Sequence, residues 1–87
     1  MKLRLTPRAL ADLQNLYTYI AEHQRQPQNA RLVISRIEAT FDRILEMPQI
    51  GKSSYMPDTR ELTISNLPCT VVYRIVGDIV EVTTVSH

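Results

Sequence analysis

Eighty-seven residues make one domain, 1–87, with a thin core, since a chain of this size buries roughly 60–70% of the surface its unfolded form exposes. Hydrophobic residues at 44% and charged residues at 22% exclude a disordered chain, and no apolar run approaches the ~20 residues of a membrane span. A net charge of +1 excludes a broad phosphate-tracking surface, although eight of the ten basic residues are Arg, the side chain suited to bidentate carboxylate or phosphate contacts in a small pocket.

Lys2-Leu3-Arg4-Leu5 alternates and predicts a short first strand. The N-terminus lacks the apolar stretch of a signal peptide, so a cytoplasmic location is expected. Thr6-Pro7 is a helix start, with Thr6 as N-cap and Pro7 at the first helical position. Leu10, Leu13, Tyr17, Ile20 and Ala21, flanked by Leu16, recur at helical spacing and predict an amphipathic helix to about Glu22. The stretch 23–29, Gln-rich and holding Pro27, reads as a link, with His23 facing solvent. A second helix starts near Gln28, with Ala30, Val33, Ile34, Ile37, Phe41, Ile44 and Leu45 as its apolar stripe. It must stop by Met47, ahead of Pro48. A short link between two such helices makes an antiparallel hairpin.

Residues 49–58 carry Gly and Pro without periodicity and read as a loop. Leu62 and Ile64 alternate with Thr63 and Ser65, then Asn66, Leu67 and Pro68 turn the chain into Val71-Val72-Tyr73, a strand–turn–strand pattern. Arg60 and Arg74 lie near the two ends of this hairpin and are expected close together across the ladder, on the side away from the helices. Gly77 suits the first central position of a type II′ turn leading into a last strand, 79–85. The order β-α-α-β-β-β gives an α+β fold, a helical hairpin packed on one face of a small antiparallel sheet. Cys69, alone in the chain, excludes an internal disulfide and reads as a small buried apolar residue. One Cys and two distant His residues give no metal-ligand spacing, and two glycines build no phosphate cradle, so neither metal nor cofactor is expected.

Several pieces in order carry a family resemblance: Ala11-Asp12-Leu13 with Tyr17-Thr18-Tyr19-Ile20-Ala21, then Arg36-Ile37, then Leu45-Glu46-Met47-Pro48-Gln49-Ile50-Gly51-Lys52, with Lys52 where the family has Arg. Thr59-Arg60-Glu61-Leu62, Leu67-Pro68, Val72-Tyr73-Arg74-Ile75 and Val85 with His87 complete the set. The chain thereby resembles the ParE branch of the RelE/ParE toxins of bacterial type II toxin–antitoxin systems. The resemblance implies the same helical hairpin on a small sheet. It also implies an antitoxin that wraps the toxin, toxicity when that partner is lost, and assembly as a homodimer or a toxin–antitoxin hetero-oligomer. ParE-like members poison DNA gyrase, whereas RelE-like members cleave mRNA on the ribosome. Family members usually run past the position of His87 into a tail with another Arg. A chain that stops there implies a third reading, a member that only binds its antitoxin.

Ribonuclease chemistry in this fold would attack the phosphodiester with its 2′-hydroxyl, which needs proton handlers and cations around the developing charge. Arg60, Arg74 and Lys52 are the cations available, and His87, Glu61 and Tyr55 the proton handlers. For a toxin that acts by binding, Arg60, Glu61, Arg74, Tyr73, Lys52 and Tyr55 are the candidates to face target or antitoxin. Arg31, Arg36 and Arg43 of the second helix suit an acidic antitoxin tail. Each has a plainer reading beside it. Arg60 and Glu61 also serve strand register and surface pairing, worth ~0–1 kcal/mol when exposed, and Tyr73 also fills the core. The weak net charge and the Pro-x-x-Gly-Lys junction favour the gyrase-binding reading over the ribonuclease.

Overall fold

Thr6 starts the first helix as predicted, and it does more than cap. In a computed structural model of the chain, which describes residues 1–23 and 26–86, strand β1 (Lys2–Leu5) runs straight into helix α1 (Pro7–His23). The Thr6 hydroxyl accepts the Ala9 N–H at 3.1 Å and donates to the Thr83 carbonyl at 2.9 Å. One side chain therefore satisfies a helix end and fixes that end to the sheet. Helix α2 (Pro27–Glu46) stops ahead of Pro48 as expected but starts earlier than expected. Pro27, assigned above to the link, is its first residue, where a missing N–H has no partner to lose. Positions 24–25 of that link lie outside the described residues. No helix among the described residues is long and apolar enough to cross a membrane.

Four strands follow: β2 (Lys52–Ser53), β3 (Arg60–Thr63), β4 (Thr70–Val76) and β5 (Ile79–Ser86). They join β1 in one sheet of order β1-β5-β4-β3-β2. The α+β order expected from the sequence holds, with one added strand and one change of direction. Strand β2 lies within the expected loop, because two residues are too few to show a period. The sheet is mixed: β1 pairs parallel with β5, Lys2 opposite Ile79 through Leu5 opposite Val82, and the other pairs are antiparallel. Parallel neighbours need a long crossover, which everything between β1 and β5 supplies. Gly77 has φ of 61° and closes the two-residue turn between Val76 and Ile79, a backbone angle that favours glycine.

The core lies between the helices and one face of the sheet. Val71, Tyr73, Val80, Val82 and Val85 pack with Ala9, Leu13 and Ile20 of α1 and with Val33, Ile37, Phe41 and Ile44 of α2. Ala9 takes the place expected for Leu10, which is 46% exposed. Val82 and Val85 are three residues apart, so a regular strand would send them to opposite faces. A β-bulge resolves this: Val72 stands opposite Thr84 and Tyr73 opposite Val82, leaving Thr83 as the extra residue. The bulge turns both valines inward and aims the Thr83 carbonyl at Thr6.

Tyr73 fixes the junction between α2 and β2. Its ring is fully buried, and its hydroxyl donates to the Pro48 carbonyl at 2.7 Å while accepting the Gly51 N–H at 2.9 Å. Gly51 must come this close: a Cβ there would stand 2.7 Å from that hydroxyl oxygen and 2.8 Å from the Glu61 carbonyl. We expect Gly51→Ala to destabilise the fold by about 1–3 kcal/mol through overpacking. Tyr73→Phe should cost about 1–3 kcal/mol by leaving two backbone groups unpaired. Urea denaturation measures both, and an unchanged Gly51→Ala midpoint would show that the 48–51 loop can move off Tyr73.

Candidate functional site

Strand β3 pairs only with the first half of β4. Its first residue, Arg60, stands opposite Tyr73, so 74–76 of β4 extend past it. The chain leaves the ladder just before Arg60 because Asp58 adopts a left-handed φ of 61°. A tight turn holds this departure: the Thr59 hydroxyl donates to the Met56 carbonyl at 2.6 Å, and the Ser54 N–H donates to the Thr59 carbonyl at 3.0 Å. The result is an open groove of about 890 Å³ between residues 53–60 and 74–76. Large apolar side chains stand exposed along it: Tyr55 at 73%, Met56 at 53%, and Ile75 and Val76 to a lesser degree.

Arg60 and Arg74 both line this groove but serve different faces of the sheet. Arg60 lies opposite Tyr73 and therefore shares its helix-facing side, whereas Arg74, the next residue, faces away. Only Arg74 sits on the side expected for both. The Arg60 Nη1 donates to the Gly51 carbonyl at 2.8 Å and the Gln49 carbonyl at 3.2 Å, clamping the loop that Tyr73 holds from beneath. Arg74 Nε donates to Glu81 Oε1 at 2.7 Å, and Arg4 reaches Glu81 Oε2 at 2.7 Å from the other side. Ladder positions Arg4, Glu81 and Arg74 form a charged row across β1, β5 and β4 on the face away from the helices.

Tyr73 is a core residue whose burial removes it from the partner-facing candidates, a correction to the expectation above. Lys52 is exposed and stands opposite Glu61, which is half-buried and accepts the Ser54 hydroxyl at 2.9 Å. Tyr55 is 73% exposed. His87 lies outside the described residues. Arg31 and Arg43 are exposed on α2 and Arg36 is half-buried, and none forms an ion pair among the described residues.

Sequence reasoning missed the Arg4–Glu81–Arg74 row, because it needs the parallel β1–β5 pairing. It also missed Asp12, which accepts the Val85 N–H at 3.1 Å and the Arg8 Nε at 3.1 Å, tying α1 to the end of β5. Beside Asp12 lies a second, more apolar groove of about 550 Å³, lined by Leu16, Ile20, Val33, Leu67 and Cys69 among others. Burial there pushes the Cys69 thiol above its ordinary pKa, so it packs as an apolar group.

The hydrogen bond from Arg74, reinforced by that from Arg4, holds the Glu81 carboxyl below its ordinary pKa despite the opposing effect of burial. A depressed carboxylate contributes stability above the unfolded value of about 4.3 and loses it as pH falls through the folded value. Glu81→Gln should therefore lower the melting temperature at pH 7, and the gap to the parent should narrow as pH falls beneath the ordinary carboxylate range and close only once pH is below the depressed folded value. A gap independent of pH would place the effect in packing. Arg60→Ala should destabilise by about 1 kcal/mol, since it strips a charged donor from two carbonyls at a half-buried site. Chemical denaturation checks this.

Residues 3–87 match the family described as ParE toxin of type II toxin–antitoxin system, parDE. A protein of Sinorhizobium fredii named "Putative toxin Y4kP" is 36% identical over 86 residues, covering 99% of this chain and 86% of that protein. Among solved structures, the chromosomal ParDE toxin–antitoxin system from P. aeruginosa superposes with a TM-score of 0.76 at 23% identity, over 100% of this chain and 95% of that one. The intact E. coli RelBE toxin–antitoxin complex gives 0.64 at 19% identity, over 98% and 93%. At these identities the structural matches establish the fold, while the sequence match over nearly the whole length establishes the family. The chain belongs to the ParE toxins of type II toxin–antitoxin systems.

Proposed function

We propose that this toxin acts by binding DNA gyrase in the cytoplasm, without catalysis, and that an antitoxin neutralises it by wrapping around it. The observation that carries this reading is how the two groove arginines are used. Arg60 is held through Nη1 by the Gln49 and Gly51 carbonyls and Arg74 through Nε by Glu81, so part of each guanidinium is engaged within the fold and its direction is set there. Stabilising a developing phosphorane would need cations aimed at the reacting phosphate. The surface beside them instead presents Tyr55, Met56, Ile75 and Val76, the apolar and aromatic side chains that anchor protein interfaces. Tyr55, Lys52 and Glu61 complete the target face, with Arg60 and Arg74 contributing the N–H donors their internal bonds leave over. The exposed Arg31 and Arg43 of α2 supply the charge for an acidic antitoxin segment.

Inducing the chain alone distinguishes the readings. Filamentation with a DNA-damage response is the expected outcome. Abrupt translation arrest with cleaved mRNA would replace gyrase by the ribosome, and normal growth would leave antitoxin binding as the sole activity. In a supercoiling assay with purified gyrase, Tyr55→Ala should weaken inhibition by about tenfold or more, in line with loss of an aromatic anchor. Its melting temperature should stay that of the parent, because the side chain is exposed.

A further inference from the structure

We propose that the groove beside β4 receives an extended segment of the inhibited protein as an added β-strand, bonded to the backbone of Ile75. The inference rests on the target-binding reading above and specifies how the target enters. Val76 and Ile79 flank a two-residue turn, and such a pair exchanges both of its backbone hydrogen bonds. Backbone groups alternate in direction along a strand. The N–H and C=O of Ile75 therefore point away from β5, into the groove. Among the described residues no strand residue lies opposite Ile75 there, since β3 begins at Arg60 opposite Tyr73 and the left-handed Asp58 carries the chain away. A donor and an acceptor at strand spacing, beside exposed apolar side chains, are what β-addition uses.

The same alternation states the chemistry of the segment. Its residue opposite Ile75 faces the helix side and should be apolar, to cover Ile75. The residues on either side of it fall on the face of Arg74 and Val76. Arg74 gives only its Nε to Glu81, so an acidic side chain at one of these places can take its Nη groups. The segment is thus extended, apolar at alternate positions, and carries one Asp or Glu.

The test uses the isotopically labelled full chain and follows amide exchange at Ile75. The first probe is a capped peptide of about eight residues, alternating valine and threonine with one central aspartate, a length typical of a strand. Saturating peptide should slow exchange at Ile75 by about tenfold or more, equivalent to a modest added hydrogen bond. Unchanged exchange would overturn strand addition. Ile75→Pro removes the outward N–H without touching a bond to β5, which an edge strand tolerates, and it should abolish peptide binding. Met56→Glu, on the exposed loop, keeps the question answerable if that proline disturbs the fold, and should weaken binding by repelling the aspartate.

The second probe is purified gyrase. Slowed exchange at Ile75 with gyrase bound supports the proposal. Gyrase bound with Ile75 exchange unchanged overturns the strand mode and leaves the gyrase reading intact. Peptide protection without any gyrase binding overturns the gyrase reading and the source assigned to the segment, while the strand site stands. Protection by the purified antitoxin but not by gyrase would assign the segment to the antitoxin and overturn the proposal.

Discussion

A buried phenol hydroxyl must find partners, and where the Tyr73 hydroxyl finds them shapes the middle of this molecule. It lies beneath the 48–51 loop and takes the Pro48 carbonyl and the Gly51 N–H. That contact leaves no space for a side chain at position 51. Arg60 then closes over the same loop from the ladder position opposite Tyr73. Helix end, loop and the start of β2 are thus set by one ring in β4 and one guanidinium in β3.

The groove follows from that arrangement. Because Arg60 is drawn to the 49–51 carbonyls and the chain before it turns away at Asp58, β3 covers only half of β4. The uncovered half would be an ordinary exposed edge, which many proteins protect with charge or a bulge. Here its arginine is tied to Glu81 instead, and apolar side chains border it. Glu81 accepts from both Arg4 and Arg74, so the charged row has two cations to one anion and leaves spare donors on that face.

Solved structures at 19–23% identity superpose over nearly the whole chain, which is what packing constraints alone can preserve. Helical stripes, β-branched strands and a covered sheet face tolerate many exchanges if volume and pattern are kept. Surface groups on that scaffold are not held by the same constraint, and so the fold shared with the RelBE complex does not transfer its chemistry. What distinguishes this chain on that scaffold is its own Arg60, Arg74 and Tyr55.

Periodicity and local chemistry determined the parts of this protein whose cause is local: the Thr6-Pro7 helix start, the stop before Pro48, the Gly77 turn, and apolar stripes that need a sheet to cover. The ordered family residues added the identity of the fold. Tertiary structure alone decided what depends on long-range register. The parallel β1–β5 pairing assembles Arg4, Glu81 and Arg74 from distant positions. The bulge at Thr83 changes which residues face inward, and the Arg60–Tyr73 register puts two neighbouring arginines on opposite faces of the sheet. A side-chain pattern of period two is unchanged by a slip of two residues, and only the tertiary pairing of the strands chooses among such registers.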